Sequence, residues 1–87
     1  MKDPAITKAT QDLKSELEKS AQALRELREE VRVRLHLGAL DVKDEWQRLE
    51  PRLEATLERA GRDISDASRT TIVQVTDAVR RLRQKLR

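Results

Sequence analysis

The chain has 87 residues, a net charge of +3 and no cysteine, which limits it to one domain without disulfide bonds or a thiolate site. Ala, Glu, Lys, Leu and Arg make up more than half of it, Phe and Tyr are absent, and Trp occurs once. This composition is typical of long helices and disfavours sheets with aromatic cores. The sequence shows neither a signal peptide nor about 18 consecutive apolar residues of a membrane span, so we expect a cytoplasmic protein.

The first predicted helix begins at Pro4. Asp3 suits the position before a helix because its carboxylate accepts from a free amide, and Pro4 has no amide to leave unpaired. From Leu13 onward, apolar residues recur every three or four positions, which is the spacing of a helix face that packs on another helix. We call this series the seam and expect association to depend on the following members: Leu24, Leu27, Val31, Leu35, Val42, Trp46 and Leu49.

Two glycines are candidate breaks between helices. Gly38 precedes Asp41 and Gly61 precedes Asp63, so each is interpreted as a helix end followed by a new start. We therefore predict an all-α fold with helices over residues 4–37, 41–60 and 63–86, packed as an antiparallel three-helix bundle. The alternative is a long kinked hairpin that requires oligomerisation, because the seam keeps its phase through both glycines.

The seam also predicts which residues of the last helix are buried. It continues through Ile64, Ala67, Thr71, Val75, Val79, Leu82 and Leu86. Pro51 lies in phase with it, which indicates a kink or a first-turn position rather than a loop. Acids four positions before bases should support the helices as ion pairs. These pairs are Glu30 with Arg34, Asp44 with Arg48, Glu58 with Arg62 and Asp77 with Arg81.

A second apolar face lies opposite the seam and consists of Val33, Leu37 and Leu40. A helix that is apolar on two sides contacts two neighbours. This face is therefore either buried in the middle of a three-helix core or contacted by a second chain. Trp46 lies in phase with the seam, which favours a role as a core or interface anchor over ligand stacking.

The C-terminal segment is basic. Residues 80–87 carry five cations and no acid. Such a segment could contact nucleic acid or anionic lipid, or it could simply complement the negative end of the helix dipole and keep the terminus soluble. The residues concerned are Arg80, Arg81, Arg83, Lys85 and Arg87. No aromatic residue lies among them to stack on single-stranded bases.

Catalysis and metal binding lack candidate residues. His36 is the only histidine, and no Cys, Asp or Glu stands three or four positions from it, so a metal site would lack its usual ligands. A general base also needs a pocket and a nucleophile beside it. We predict no enzymatic activity, no metal, no other cofactor and no small-molecule substrate.

Val31 to Leu53 resembles a segment of small bacterial helical proteins of uncharacterised function. The shared pattern is HL followed by DxKxxWxxLE, here His36 to Glu50. The resemblance covers about a quarter of the chain and implies a helix, with no activity attached. The Arg-rich and Leu-rich composition is also similar to that of exchangeable apolipoproteins.

These observations predict a non-enzymatic helical interaction or scaffold module. Its partner would be a second copy of the chain or another helical protein, held through the seam. One alternative is a small nucleic-acid-associated protein that uses the basic C-terminal segment. Another is peripheral binding of its amphipathic helices to an anionic membrane.

Overall fold

The computed structural model describes residues 4–86, with side chains from residue 10 onward. This part of the chain forms three α-helices, α1 (Pro4–Arg34), α2 (Leu40–Arg62) and α3 (Asp66–Gln84), and a 3₁₀ turn over Leu35–Leu37. No strand occurs between residues 4 and 86. The all-α prediction is confirmed, and three packed helices form instead of the alternative long hairpin.

Ion pairs between helices reveal that α1 and α2 are antiparallel. Arg28 Nη1 lies 2.8 Å from Glu54 Oε1, and Arg32 Nη2 lies 2.9 Å from Glu50 Oε2. The residue number rises along α1 while that of its partner falls along α2. This is the arrangement expected of neighbouring helices joined by a short connection.

The third helix runs parallel to α1. Arg69 pairs with Glu16 at 3.4 Å and Arg83 with Glu30 at 3.1 Å. Both pairs join residues 53 positions apart, so the two helices advance together. Because α2 runs the opposite way, α3 is antiparallel to α2, and the bundle measures 57 × 18 × 15 Å.

One apolar core runs along the bundle and takes residues from all three helices. Leu24, Leu53 and Ile72, one from each helix, are completely buried. Burying a Leu or Ile side chain contributes about 1.5–3 kcal/mol relative to leaving it exposed. The remaining buried apolar residues are Leu17, Ala21, Leu27, Val31, Val42, Trp46, Leu49, Leu57, Ala60, Val75, Val79, Leu82 and Leu86.

The first connection contains Gly38, as predicted, but the glycine is needed for a different reason. Its backbone is extended (φ −84°, ψ 152°), a conformation open to any residue, and not the left-handed one of a glycine cap. A Cβ at this position would lie 2.7 Å from Cδ2 of Leu86. Gly38 therefore lets Leu86, just after α3, pack directly on the turn between α1 and α2.

The second connection lies beyond Gly61, not at it. α2 continues through Gly61 to Arg62, and α3 begins at Asp66 after a non-helical segment over residues 63–65. The helix end predicted at residue 60 and the start predicted at residue 63 are both misplaced. Ser65 caps α3 because its Oγ accepts from the Ser68 amide at 3.2 Å, which satisfies one of the free amides of the first turn.

This connection shifts the phase of the seam. Ser68 and Ile72 are buried where the sequence pattern predicted Ala67 and Thr71. The extended backbone of Asp63 and Ser65 breaks the helical rotation, so α3 presents the next residue to the core. Val75 is buried as predicted, because it lies three residues after Ile72 and four residues after Thr71, and both spacings keep a residue on the same helix face.

Pro51 lies inside α2 and is exposed. Proline has no amide, so the carbonyl of Gln47 loses its intrahelical partner. Gln47 is exposed as well, and water can reach this side of the helix. The prediction of no loop here is confirmed, whereas a first-turn position is wrong.

Candidate interaction surfaces

The seam is buried within the chain. Of its predicted members, Leu24, Leu27, Val31, Val42, Trp46 and Leu49 belong to the core. Leu35 is partly buried and packs against this core. Their contacts are with other helices of the same bundle, so the seam is not presented to a second chain in this structure.

The second apolar face is exposed. Val33 on α1 is 71% exposed, Leu37 in the 3₁₀ turn 48% and Leu40 at the start of α2 78%. They follow one another around the first connection, at the end of the bundle that also holds Leu86. Of the two interpretations offered for this face, burial in the middle of the core does not occur. We call these three residues the apolar turn face.

Charges of both signs flank the apolar turn face. On the α1 side lie Arg34 and His36, both exposed, and Arg34 makes only a 3.6 Å pair with Glu30. On the α2 side lie Asp41 and Asp44, also exposed. The apolar side chains therefore lie between Arg34 on one side and the carboxylates of Asp41 and Asp44, with Lys43 between them in sequence, on the other.

The basic C-terminal residues are used mostly inside the bundle. Arg83 pairs with Glu30 on α1, and Lys85 Nζ pairs with Glu45 Oε2 on α2 at 3.0 Å. Leu82 and Leu86, which would supply the apolar edge for lipid binding, are buried. Arg80 is 3.9 Å from Asp77, Arg81 is exposed, and Arg87 lies outside the described residues.

Two of the four predicted ion pairs along the helices are present. Arg34 pairs with Glu30, and Arg62 pairs with Glu58 at 3.4 Å. The predicted pairs of Asp44 with Arg48 and of Asp77 with Arg81 do not form. Asp77 meets Arg80 instead, and Arg48 lines a groove between α2 and α3.

This groove is the feature that the sequence reasoning missed. One open depression of about 280 Å³ is lined by Glu45, Arg48, Leu49, Arg52 and Ala78. A second, of about 220 Å³, is lined by Arg52, Ala55, Thr56, Arg59 and Thr71. The two share Arg52 and so form one line between α2 and α3, which we call the α2–α3 groove. The sequence feature that could have indicated this groove is the recurrence of Arg48, Arg52 and Arg59 at helical spacing on one face of α2.

Charged residues also join α1 to α2. Arg32 lies within 4 Å of Glu29, Glu50 and Glu54. The hydrogen bond to Glu50 is the main cause that raises the pKa of the Arg32 guanidinium. Because these side chains remain solvent-accessible, each pair contributes at most about 1 kcal/mol. The cluster stabilises the antiparallel arrangement and leaves no cation free for a ligand.

A small polar network closes the second connection. Asp63 Oδ2 accepts from Arg59 Nε and from Ser68 Oγ, both at 3.2 Å. The bond from Arg59, and then that from Ser68, hold the pKa of the Asp63 carboxyl below its ordinary value of 3.8. These bonds satisfy the polar groups of the loop among themselves, with no need of a partner.

Neither metal-binding clusters nor membrane-spanning helices occur among the described residues. No three His, Asp or Glu side chains in this part of the chain come together around a common point. His36 is exposed, and its Nδ1 lies 3.1 Å from the carbonyl of Val33. None of the described helices combines the length and apolarity needed to cross a bilayer.

Comparison with protein-family models, curated proteins and solved structures gave no match. The resemblance of Val31 to Leu53 to small bacterial helical proteins stays a prediction.

Proposed function

We propose that this chain is a non-enzymatic helical interaction module that self-associates through the apolar turn face. The observation that carries the proposal is the exposure of Val33, Leu37 and Leu40 at one end of a bundle whose seam is otherwise closed. Covering such side chains removes apolar surface from water, which favours association.

The charges around this face favour a second copy of the same chain as the partner. In a twofold dimer the same patch contacts itself. A twofold axis that passes between the two flanks brings Arg34 of each copy against Asp41 and Asp44 of the other, and the three apolar side chains of the two copies then cover one another.

The expected association is weak. Stable interfaces bury roughly 800 Å² on each partner, and three exposed side chains provide only the centre of such an area. We therefore expect a reversible monomer–dimer equilibrium that depends on protein concentration. Association through the seam would instead require the bundle to open.

Sedimentation equilibrium from about 10 µM to about 1 mM tests the proposal. The wild type should show a rising average mass, and Leu37→Gln with Leu40→Gln should remain monomeric. Val73→Gln is the matched control because Val73 is 50% exposed but lies on α3, away from the turn. The proposal would be contradicted if the wild type stayed monomeric at every concentration. It would also be contradicted if Val73→Gln dissociated as completely as the variant with Leu37→Gln and Leu40→Gln.

Binding of nucleic acid or anionic lipid by the C-terminal residues stays a prediction. The ion pairs of Arg83 and Lys85 remove two of the cations on which it depended. The burial of Leu82 and Leu86 removes the apolar edge that a membrane would contact. No observation in the structure favours either activity over self-association.

A further inference from the structure

The α2–α3 groove has arginines at its edges that no acid in the described part of the chain neutralises. Arg48 and Arg52 line the groove from α2, and Arg81 follows Ala78 by one helical step on α3. None of the three has an acidic partner among residues 10–86. They differ in this from Arg28, Arg32, Arg69 and Arg83, which all pair across helices.

The acid that lines the groove, Glu45, is engaged with Lys85. Asp63, at the far end, accepts from Arg59, whereas Asp44, one helical turn before Arg48, is exposed and makes no ion pair with a described residue. Arg48 and Arg52 are therefore the lining arginines without an acidic partner, and Arg81 lies one helical turn from Ala78. A ligand that places negative charge along both edges would complement these arginines.

Small side chains line the groove between its arginines, two of them the threonines Thr56 and Thr71. Ala55 and Ala78 line it from α2 and α3, and Leu49 closes its base with 8% of its surface exposed. Small side chains allow a further element to approach two antiparallel helices closely. A straight concave groove of this kind fits the apolar face of a helix.

We propose that the α2–α3 groove binds an acidic amphipathic helix of a partner protein, which packs as a fourth helix on the bundle. Its apolar face would lie on Ala55 and Ala78, and its Glu or Asp residues would pair with Arg48, Arg52 and Arg81. A nucleic acid would use the arginines but not the two alanines. The groove lies on the side of the bundle and the apolar turn face at its end, so this activity is independent of self-association.

The direct test measures binding of a synthetic peptide by fluorescence anisotropy. The probe is an amphipathic helical peptide with a Leu and Ala face flanked by Glu, and its control carries Lys in place of Glu. The wild type should bind the Glu peptide, weakly at high salt, and should not bind the Lys peptide. No binding of the Glu peptide at low salt, or equal binding of both peptides, would overturn the proposal.

Charge variants locate the site. The groove variant, with Arg48, Arg52 and Arg81 each changed to Gln, should weaken binding by about tenfold or more. The matched variant changes Lys14, Lys19 and Arg25 to Gln, which are exposed on α1 and make no ion pair with another described residue. It removes the same net charge and should bind within about twofold of wild type. Equal weakening by both variants would show that only net charge matters.

A third variant separates helix docking from general binding of polyanions. Ala55→Trp places a bulky group at an exposed position in the groove and leaves every arginine in place. It should reduce binding of the Glu peptide at least as strongly as the groove variant. If it leaves peptide binding intact, or if duplex DNA binds more tightly than the peptide and is lost in the groove variant, the helix proposal is wrong. Circular dichroism melting of each variant reports its folding.

Discussion

The two connections of the bundle lie at opposite ends and are stabilised in different ways. The connection from α2 to α3 is polar, and Asp63, Ser65 and Ser68 bond one another there. In the connection from α1 to α2, Ala39 occupies the position where Ser65 stands in the other and gives no side-chain cap. The side-chain bonds here are separate ones, from the Val42 amide to Asp41 Oδ1 and between His36 Nδ1 and the Val33 carbonyl, and Leu86 packs on the turn.

This difference explains why the apolar turn face lies where it does. A polar loop needs few buried contacts because its side chains replace water as hydrogen-bond partners. A turn without such a bonded network depends more on what packs on it, here Leu86 on Gly38. The apolar residues that hold the turn continue onto the surface as Val33, Leu37 and Leu40.

Trp46→Ala should have the largest effect because it removes the main packing group near the apolar end. Trp46 is 2% exposed, and deleting a buried aromatic side chain costs about 3–5 kcal/mol. Urea titration followed by far-UV circular dichroism measures the loss. Val73→Ala, at an exposed site, should cost less than about 0.5 kcal/mol. A loss below about 1 kcal/mol for Trp46→Ala would show that packing does not dominate this end.

Substitutions of the two N-cap residues should change the free energy of unfolding in opposite directions. Ser65→Ala removes the bond to the Ser68 amide and should lower the free energy of unfolding by about 1 kcal/mol. Ala39→Ser should raise it by less, because the Val42 amide already donates to Asp41 Oδ1 at 3.0 Å. The same urea titrations measure both changes. A loss at Ala39→Ser, or none at Ser65→Ala, would remove the proposed distinction.

The two glycines should respond differently to alanine. Gly61 lies in α2 with open space around a new Cβ, so Gly61→Ala should stabilise the bundle by about 0.5–1 kcal/mol. At Gly38 the new Cβ would press on Leu86, so that gain should be absent or reversed. Thermal melts of the two variants, followed in parallel, test this. Equal stabilisation would mean that Leu86 moves aside without cost.

The smallest expected effect is the pH dependence of stability that Asp63 gives to the connection between α2 and α3. The pKa of Asp63 is lowered in the folded state, so its contribution is complete above the ordinary value of 3.8. It is lost as the pH falls through the lowered value. Asp63→Asn should therefore reduce the fall in melting temperature between about pH 7 and about pH 3. Asp44→Asn removes an exposed carboxylate without an ion pair, so this variant should show the same fall in melting temperature as the wild type.

The sequence predicts the fold class and the first break because both depend on local patterns, but it misplaces the second, since α2 continues through Gly61 to Arg62. Apolar spacing and the turn signals at Gly38 and Gly61 each lie within a few residues. The phase of α3 could not be predicted in the same way. It depends on the non-helical backbone of residues 63–65, where Asp63 and Ser65 are extended. Rotating the helix by one residue replaces Ala67 with Ser68 in the core, and the apolar spacing looks the same in both cases.

The surfaces were harder to predict than the core. Arg83 and Lys85 belong to a basic segment in the sequence, yet their partners lie on other helices. Arg48 seemed to be paired with Asp44, yet it lines the α2–α3 groove. Pairing across a bundle depends on rotation about each helix axis, which local sequence does not determine.

The packing of Leu86 on Gly38 also links two segments that are far apart along the chain. The last turn of α3 cannot detach without uncovering the turn between α1 and α2, so the two should open together as one unit of local unfolding. Their amides should then exchange with solvent deuterium at a common rate. The end of the molecule where Ala39 gives α2 no side-chain cap would in this way gain cooperativity from the contact of a single leucine.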